Sequence, residues 1–228
     1  MPKFSIKTSF RQSWKIYKKN CLFFIGLTIL TTGLRLATNY LVNLLDQPLI
    51  ITIASLLSWL LSTAITIGLI NISLSFIDTD TGNLKQFYSK IRLLGKYILG
   101  TVLYGLIVFA GILLLIIPGI IWAIKYQFFG YLIIDQNLKP KQALKTSSQL
   151  TQGKKRQLFW LAILLFLFNL LGTLPVFLGL LITIPMSGLI IAHVYRQLKP
   201  PVTPPTLQPL VQTQPPSEKH YTLPTMTY

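Results

Sequence analysis

The sequence predicts an all-α polytopic membrane protein, with about six transmembrane helices in three hairpins and amphipathic helices along one membrane surface. Three observations predict it. Only 11% of the 228 residues are charged against 52% hydrophobic, and the mean hydropathy is +0.58. A soluble domain carries about a quarter charged residues. The apolar residues also come in blocks: no Asp, Glu, Lys or Arg falls in 47–77, 97–124 or 157–195, and one crossing needs about 20 residues. Finally, an even number of crossings leaves nearly every base on one side.

The first apolar stretch runs over about 20–45 and is interrupted only by Arg35; the second covers about 48–77. The third, about 97–117, meets Pro118-Gly119, a turn pair unsuited to continuing a helix. A shorter return span follows over about 119–134, apolar apart from Lys125 and Gln127. The run 157–195 is too long for one helix, and Pro175 divides it into spans at about 157–174 and 176–196. Residues 1–19 are then a cytoplasmic amphipathic helix, 20–198 the six-span domain, and 199–228, with eight prolines, a disordered cytoplasmic tail.

Orientation follows from the bases. With six spans, every Lys and Arg except Arg35 and Lys125 falls on one side, in the segments before Asn20, between Asp78 and Lys96, between Asp135 and Arg156, and after Tyr195. The turns on the other side hold none. Both termini are therefore expected to be cytoplasmic. The basic N-terminal segment is expected to be retained, since no small-x-small cleavage site precedes a polar sequence.

Before Asn20, Ile6, Phe10, Trp14 and Tyr17 recur at helical spacing, with Lys7, Arg11, Lys15 and Lys18 one residue behind. This predicts an interfacial helix with its rings among acyl chains and its ammonium groups towards lipid phosphates. A second helix is predicted between Pro140 and Gln152, with Pro140 in its first turn and Gly153 just past its end. A third covers 84–94, with Phe87, Ile91 and Leu94 on one side. The three suggest a unit of interfacial helix plus hairpin used three times.

The net charge of +16 would suggest nucleic acid in a soluble protein; in a chain of apolar spans it marks cytoplasmic loops instead, so no nucleic acid partner is expected. Chemistry-bearing residues are few. There are 5 acids, 2 histidines and 1 cysteine, and no nucleotide, serine-hydrolase or metalloprotease motif occurs. No catalytic residue, metal or cofactor is predicted, and the protein is expected not to be an enzyme. Asp78 to Asn83 begins like a calcium loop but lacks the closing Glu, where Ser89 stands, and reads as a solvated turn.

Arg35 and Lys125 are the two charges within spans, where a central charge costs about 2.5–3.5 kcal/mol. They either bind an anionic group inside the bundle, with Asp46 as one partner, or snorkel to a headgroup. Together with Lys7, Arg11, Lys15 and Lys18 they are the candidate anion or lipid-headgroup contacts. Asn43, Asn71, Gln127 and Asn169 are candidates for interhelical hydrogen bonds, and Ala54, Ser58, Ser62 and Thr66 form a small-residue packing seam.

Ile117-Pro118-Gly119-Ile120-Ile121, Tyr131 to Asp135, and Pro140-x-x-Ala143-Leu144-x-x-Ser147-x-x-Leu150-Thr151-x-Gly153 carry a resemblance. With the opening Phe4-Ser5-Ile6 and Ser13-Trp14-Lys15, they resemble the bacterial six-span inner-membrane proteins of the YciC type. Those are similar in turn to the membrane domain of some glycerophosphodiester phosphodiesterases. The resemblance covers about residues 4–198 and implies a multi-pass protein of the bacterial inner membrane with a role in the envelope or in lipid handling. The phosphodiesterase domain is absent from it, so that activity is not implied. The leading expectation is a non-enzymatic protein binding anionic lipid at the cytoplasmic face, with a membrane-protein partner or a second copy as the other type of partner. The alternative is a small transporter, or a transporter subunit, for an anionic solute, with Arg35 and Lys125 as its anion site.

Overall fold

The computed structural model describes residues 5–79, 82, 84–174 and 179–199. The predicted Pro175 turn and Pro-rich tail lie outside the described residues. Among those described, all regular secondary structure is helical. Five segments are long and apolar enough to cross a membrane: Cys21–Asn43, Pro48–Thr79, Lys85–Leu114, Ile116–Gln136 and Lys155–Thr173. Large apolar side chains point outward along them; Leu49, Leu113 and Leu174 are 72%, 78% and 75% exposed. So much outward apolar surface suits lipid rather than water, and the chain is an all-α membrane protein.

Helix α1 (Ile6–Lys19) starts at Ser5, whose extended backbone and hydroxyl cap the Thr8 N–H, and closes on Lys18 and Lys19, bases that complement a helix C-terminus. Helix α2 (Cys21–Asn43) follows at once, and α3 (Pro48–Thr79) returns against it. At 1.5 Å per residue α3 is about 48 Å long, well beyond the roughly 30 Å hydrocarbon core, so it tilts or projects past it.

The predicted helix over 84–94 is instead a short α4 (Leu84–Ser89) and a 3₁₀ turn at Ile91–Leu93. Phe87 lies so close over Gly68 of α3 that a Cβ there would stand 2.6 Å from the ring. Asn71 Nδ2 donates to Gln86 O at 2.6 Å. These contacts fold the segment onto α3.

Helix α5 (Leu94–Leu114) ends at Leu115, which is extended with φ −168° and ψ 145°, and α6 (Ile116–Tyr126) starts directly after it. The turn is thus three residues earlier than predicted. Pro118 sits in the first turn of α6, where a missing N–H costs nothing. Gly119 lies inside α6 because the hairpin is very tight: a Cβ on it would come 2.8 Å from Ile112 N, and one on Gly111 2.9 Å from Gly119 Cα.

The span predicted over 119–134 is two helices, α6 and α7 (Phe129–Gln136), broken at Gln127-Phe128. Asn137 ends α7 with φ 54° and accepts Lys96 Nζ at 2.8 Å. Helix α8 (Pro140–Leu150) has Pro140 in its first turn, and Gly153 follows with φ 76°. Helices α9 (Lys155–Thr173) and α10 (Leu180–Leu198) pack on each other.

The core lies off-centre. Phe129 to Ile134 of α7 are all buried, as expected of a helix that is apolar all round. Phe129, Tyr131, Leu132 and Ile133 pack with Leu158, Ile190, Val194 and Tyr195 of α9 and α10. A second cluster joins Tyr17, Phe24, Leu27, Ile72, Phe76 and Leu189. Both gather at the end of the bundle that carries the bases, whereas the opposite tips of α2, α3, α5, α6 and α9 stay exposed and apolar.

Candidate functional site

Helix α1 carries its four bases on an exposed side and docks by its serines. Ser9 and Ser13 are fully buried and Tyr17 nearly so, where α1 packs on α10. Small hydroxyl residues at a four-residue step let two backbones approach. Phe10 packs edge-on against Phe168 at 6.0 Å, Tyr17 stacks on Phe24 at 5.9 Å, and Ser5 N–H reaches Gln197 Oε1 at 3.3 Å. The rings of Phe10 and Tyr17 are therefore packed against protein rather than acyl chains; Trp14 alone of that series is exposed. Burial, with a smaller contribution from Cys21, pushes the Tyr17 phenol above its ordinary range, so it stays neutral.

Lys7, Arg11, Lys15 and Lys18 are all exposed. Lys18 Nζ lies 5.3 Å from the Trp14 ring centroid, a cation–π contact. Lys15 and Lys19, with Gln12, border a recess of about 530 Å³ whose far walls are Ile77 and His193. Neither ring nitrogen of His193 has a hydrogen-bond partner. Both are buried, so the groups the recess offers are the two ammonium groups and the Gln12 amide, a donor set suited to phosphate oxygens.

Beside it, the ends of α3, α7 and α10 are joined by charge. Asp135 Oδ2 accepts from Tyr195 OH at 2.8 Å, Arg196 Nη1 at 2.9 Å and Lys199 Nζ at 2.7 Å. Arg196 also pairs with Asp78 through Nη2. Asp78 is therefore a paired residue of α3 rather than part of a solvated turn; positions 80, 81 and 83 lie outside the described residues. Sequence reasoning missed this cluster. The signal available was that Asp78 and Asp135 end apolar runs, as Arg196 does.

Lys125 lies within the apolar segment Ile116–Gln136. It closes α6, and its carbonyl accepts hydroxyls of Ser147 at 3.2 Å and Thr151 at 3.0 Å from α8. Ser147 Oγ also accepts Phe128 N–H at 3.1 Å. The helix break exposes backbone groups that need partners, and α8 supplies them. The Lys125 ammonium lies over the Tyr126 ring at 5.1 Å.

Arg35 is separate from both. Its Nη2 reaches Thr66 Oγ1 at 3.4 Å, and no ion pair among the described residues joins it to Asp46. Ser58 and Ser62 of the small-residue seam border a recess that it shares. Asn71 and Asn169 make the predicted links between helices, Asn169 Nδ2 to Ser187 Oγ at 2.9 Å; Gln127 Nε2 is buried without a partner. The six predicted contacts thus divide into one coherent stripe on α1 and two isolated bases.

These features define a polytopic α-helical membrane protein. Over 134 residues, 58% of this chain, it is 32% identical to uncharacterised proteins of Mycobacterium tuberculosis H37Rv and Mycobacterium bovis. The chain spans about two fifths (40%) of the length of those relatives. No family model and no solved structure matches it.

Proposed function

We propose that this is a six-span protein of the bacterial cytoplasmic membrane, with both termini cytoplasmic, that works without catalysis by holding anionic lipid against α1. The sixth span in this reading is α10, and the three hairpins are α2 with α3, α5 with α6, and α9 with α10. The resemblance to the YciC-type proteins supports the same location and a role in the envelope or lipid handling. One observation carries the proposal. Helix α1 is fixed to α10 by a buried serine seam, which leaves Lys7, Arg11, Lys15 and Lys18 exposed beside the Lys15–Lys19–His193 recess. Each base near an anionic surface contributes about 1 kcal/mol before screening.

The test is lipid selectivity of the full chain in nanodiscs. Phosphatidylglycerol should be enriched over phosphatidylcholine around the wild type, and enrichment should fall steeply when the four stripe bases become Gln and as salt rises past the Debye regime. Equal enrichment in that variant rejects the reading.

A small transporter, or transporter subunit, for an anionic solute is the second reading. It is favoured by Pro185 inside α10, a break where a helix can bend, close to the recess that holds Arg35. Solute uptake in vesicles that survives Arg35→Gln rejects it.

A further inference from the structure

Arg35 stands between two recesses of opposite character. On one side, Thr38, Asn39, Ser58 and Ser62 surround a polar hollow of about 230 Å³. On the other, a cleft of about 230 Å³ runs between α2, α3 and α10, walled by Phe24, Leu27, Leu69, Ile72 and Ile184 and opening where Pro185 and Gly188 leave α10 without bulk. Three of the hydroxyls that line this cleft already donate to backbone carbonyls: Thr28 to Phe24 O, Thr31 to Leu27 O and Ser73 to Leu69 O, each at 2.8 Å; the fourth, Thr32, sits beside Arg35 in sequence. The cleft therefore offers apolar walls and a single charge at one end. Among the described residues that charge has the Thr66 hydroxyl as its one hydrogen-bond partner, and an ionisable group in an apolar span marks a site by default.

We infer that this cleft binds one anionic amphiphile, with its acyl chain along Phe24, Leu27 and Ile72, its phosphate or carboxylate on Arg35, and the rest of its headgroup in the Asn39–Ser58–Ser62 hollow. The site rests on the preceding reading only for its membrane setting; its Arg35 end lies towards the face opposite α1, while its apolar end reaches Phe24, which stacks on Tyr17. Charge complementarity selects the head, and the split between polar and apolar recesses about one guanidinium selects a molecule with both parts. A free anion leaves the cleft unfilled, and a neutral lipid leaves Arg35 unpaired.

The full chain in detergent, titrated with phosphatidylglycerol and read by native mass spectrometry, tests this. Arg35→Gln removes the charge and leaves Thr66 bonded to Ser62 O, so the fold stands. Gly188→Leu fills the cleft: its Cβ meets only Ser73 Oγ, at 3.4 Å. Each should weaken retention of one lipid by roughly tenfold or more, the strength of a charge-assisted contact, while Arg35→Lys keeps part of it. Oleate in a parallel titration shows whether a carboxylate serves as well as a phosphate. Unchanged retention in both variants, or displacement of the lipid by inorganic phosphate alone, overturns the site. Loss confined to the Gln-substituted α1 stripe overturns it too and leaves the α1 reading standing; the reverse pattern supports the cleft and rejects α1.

Discussion

Lys199 reaches Asp135 at 2.7 Å from the end of α10, on the carboxylate oxygen that also receives Arg196 and Tyr195. Asp135 is largely shielded, its side chain 14% exposed, whereas Asp78 on the other arm of Arg196 is 45% exposed. Removing one member of a shielded cluster leaves its partners unmatched, while an exposed pair contributes about 0–1 kcal/mol. Asp135→Asn should therefore destabilise the protein by about 1–3 kcal/mol, and Asp78→Asn by less than about 1 kcal/mol. Melting temperatures of the two variants in one detergent give the order.

The α6–α7 break depends on α8. Without Ser147, Phe128 N–H has no partner and Lys125 O keeps only Thr151. A buried donor left unsatisfied costs about 1–3 kcal/mol. Ser147→Ala should lower the melting temperature by that equivalent, and the double variant with Thr151→Val should go further, because both partners of Lys125 O are then lost. Substituting Lys141, which is exposed on the far side of α8, should leave the melt unchanged.

The extent to which this was legible in the sequence differs by element. Helix α8 was predicted almost to its ends, because Pro140 and Gly153 act through their own backbone angles and need no neighbour. Membrane character was equally plain, since it follows from runs of apolar residues and the placement of bases. The turn between α5 and α6 was misread because Pro118 is compatible with both a turn and a first helical turn. The deciding contact, Gly111 against Gly119, exists only once two helices have met. The serine seam of α1 was hidden for a related reason. An aromatic stripe outranks two serines on any hydropathy count, and only the presence of α10 makes small side chains the ones to bury. The Asp135 cluster joins residues about 60 positions apart, a separation no local pattern reports.

The tight hairpin makes a prediction of its own. A Cβ on Gly119 would stand 2.4 Å from Ile112 Cγ1 and 2.8 Å from Ile112 N, whereas one on Gly105 meets nothing within 4 Å. Side chains can shift but a backbone nitrogen cannot, and overpacking costs about 1–3 kcal/mol. Gly119→Ala should reduce folded yield in a detergent-resistance assay, and Gly105→Ala should not.

The docking of α1 can be separated from its charge. Ser13 is fully buried against α10, so Ser13→Leu forces the helix outward, while changing Lys7 or Arg11, both exposed, leaves the seam closed. A cysteine placed at Ser9, with Cys21 changed to Ser, should be unreactive to a water-soluble maleimide in the wild-type background. It should become labelled when Ser13→Leu is added and stay unreactive when Lys7 and Arg11 become Gln. Labelling of that cysteine in the parent protein means that α1 leaves α10 freely, and then the stripe acts as a mobile arm rather than as one wall of a fixed recess.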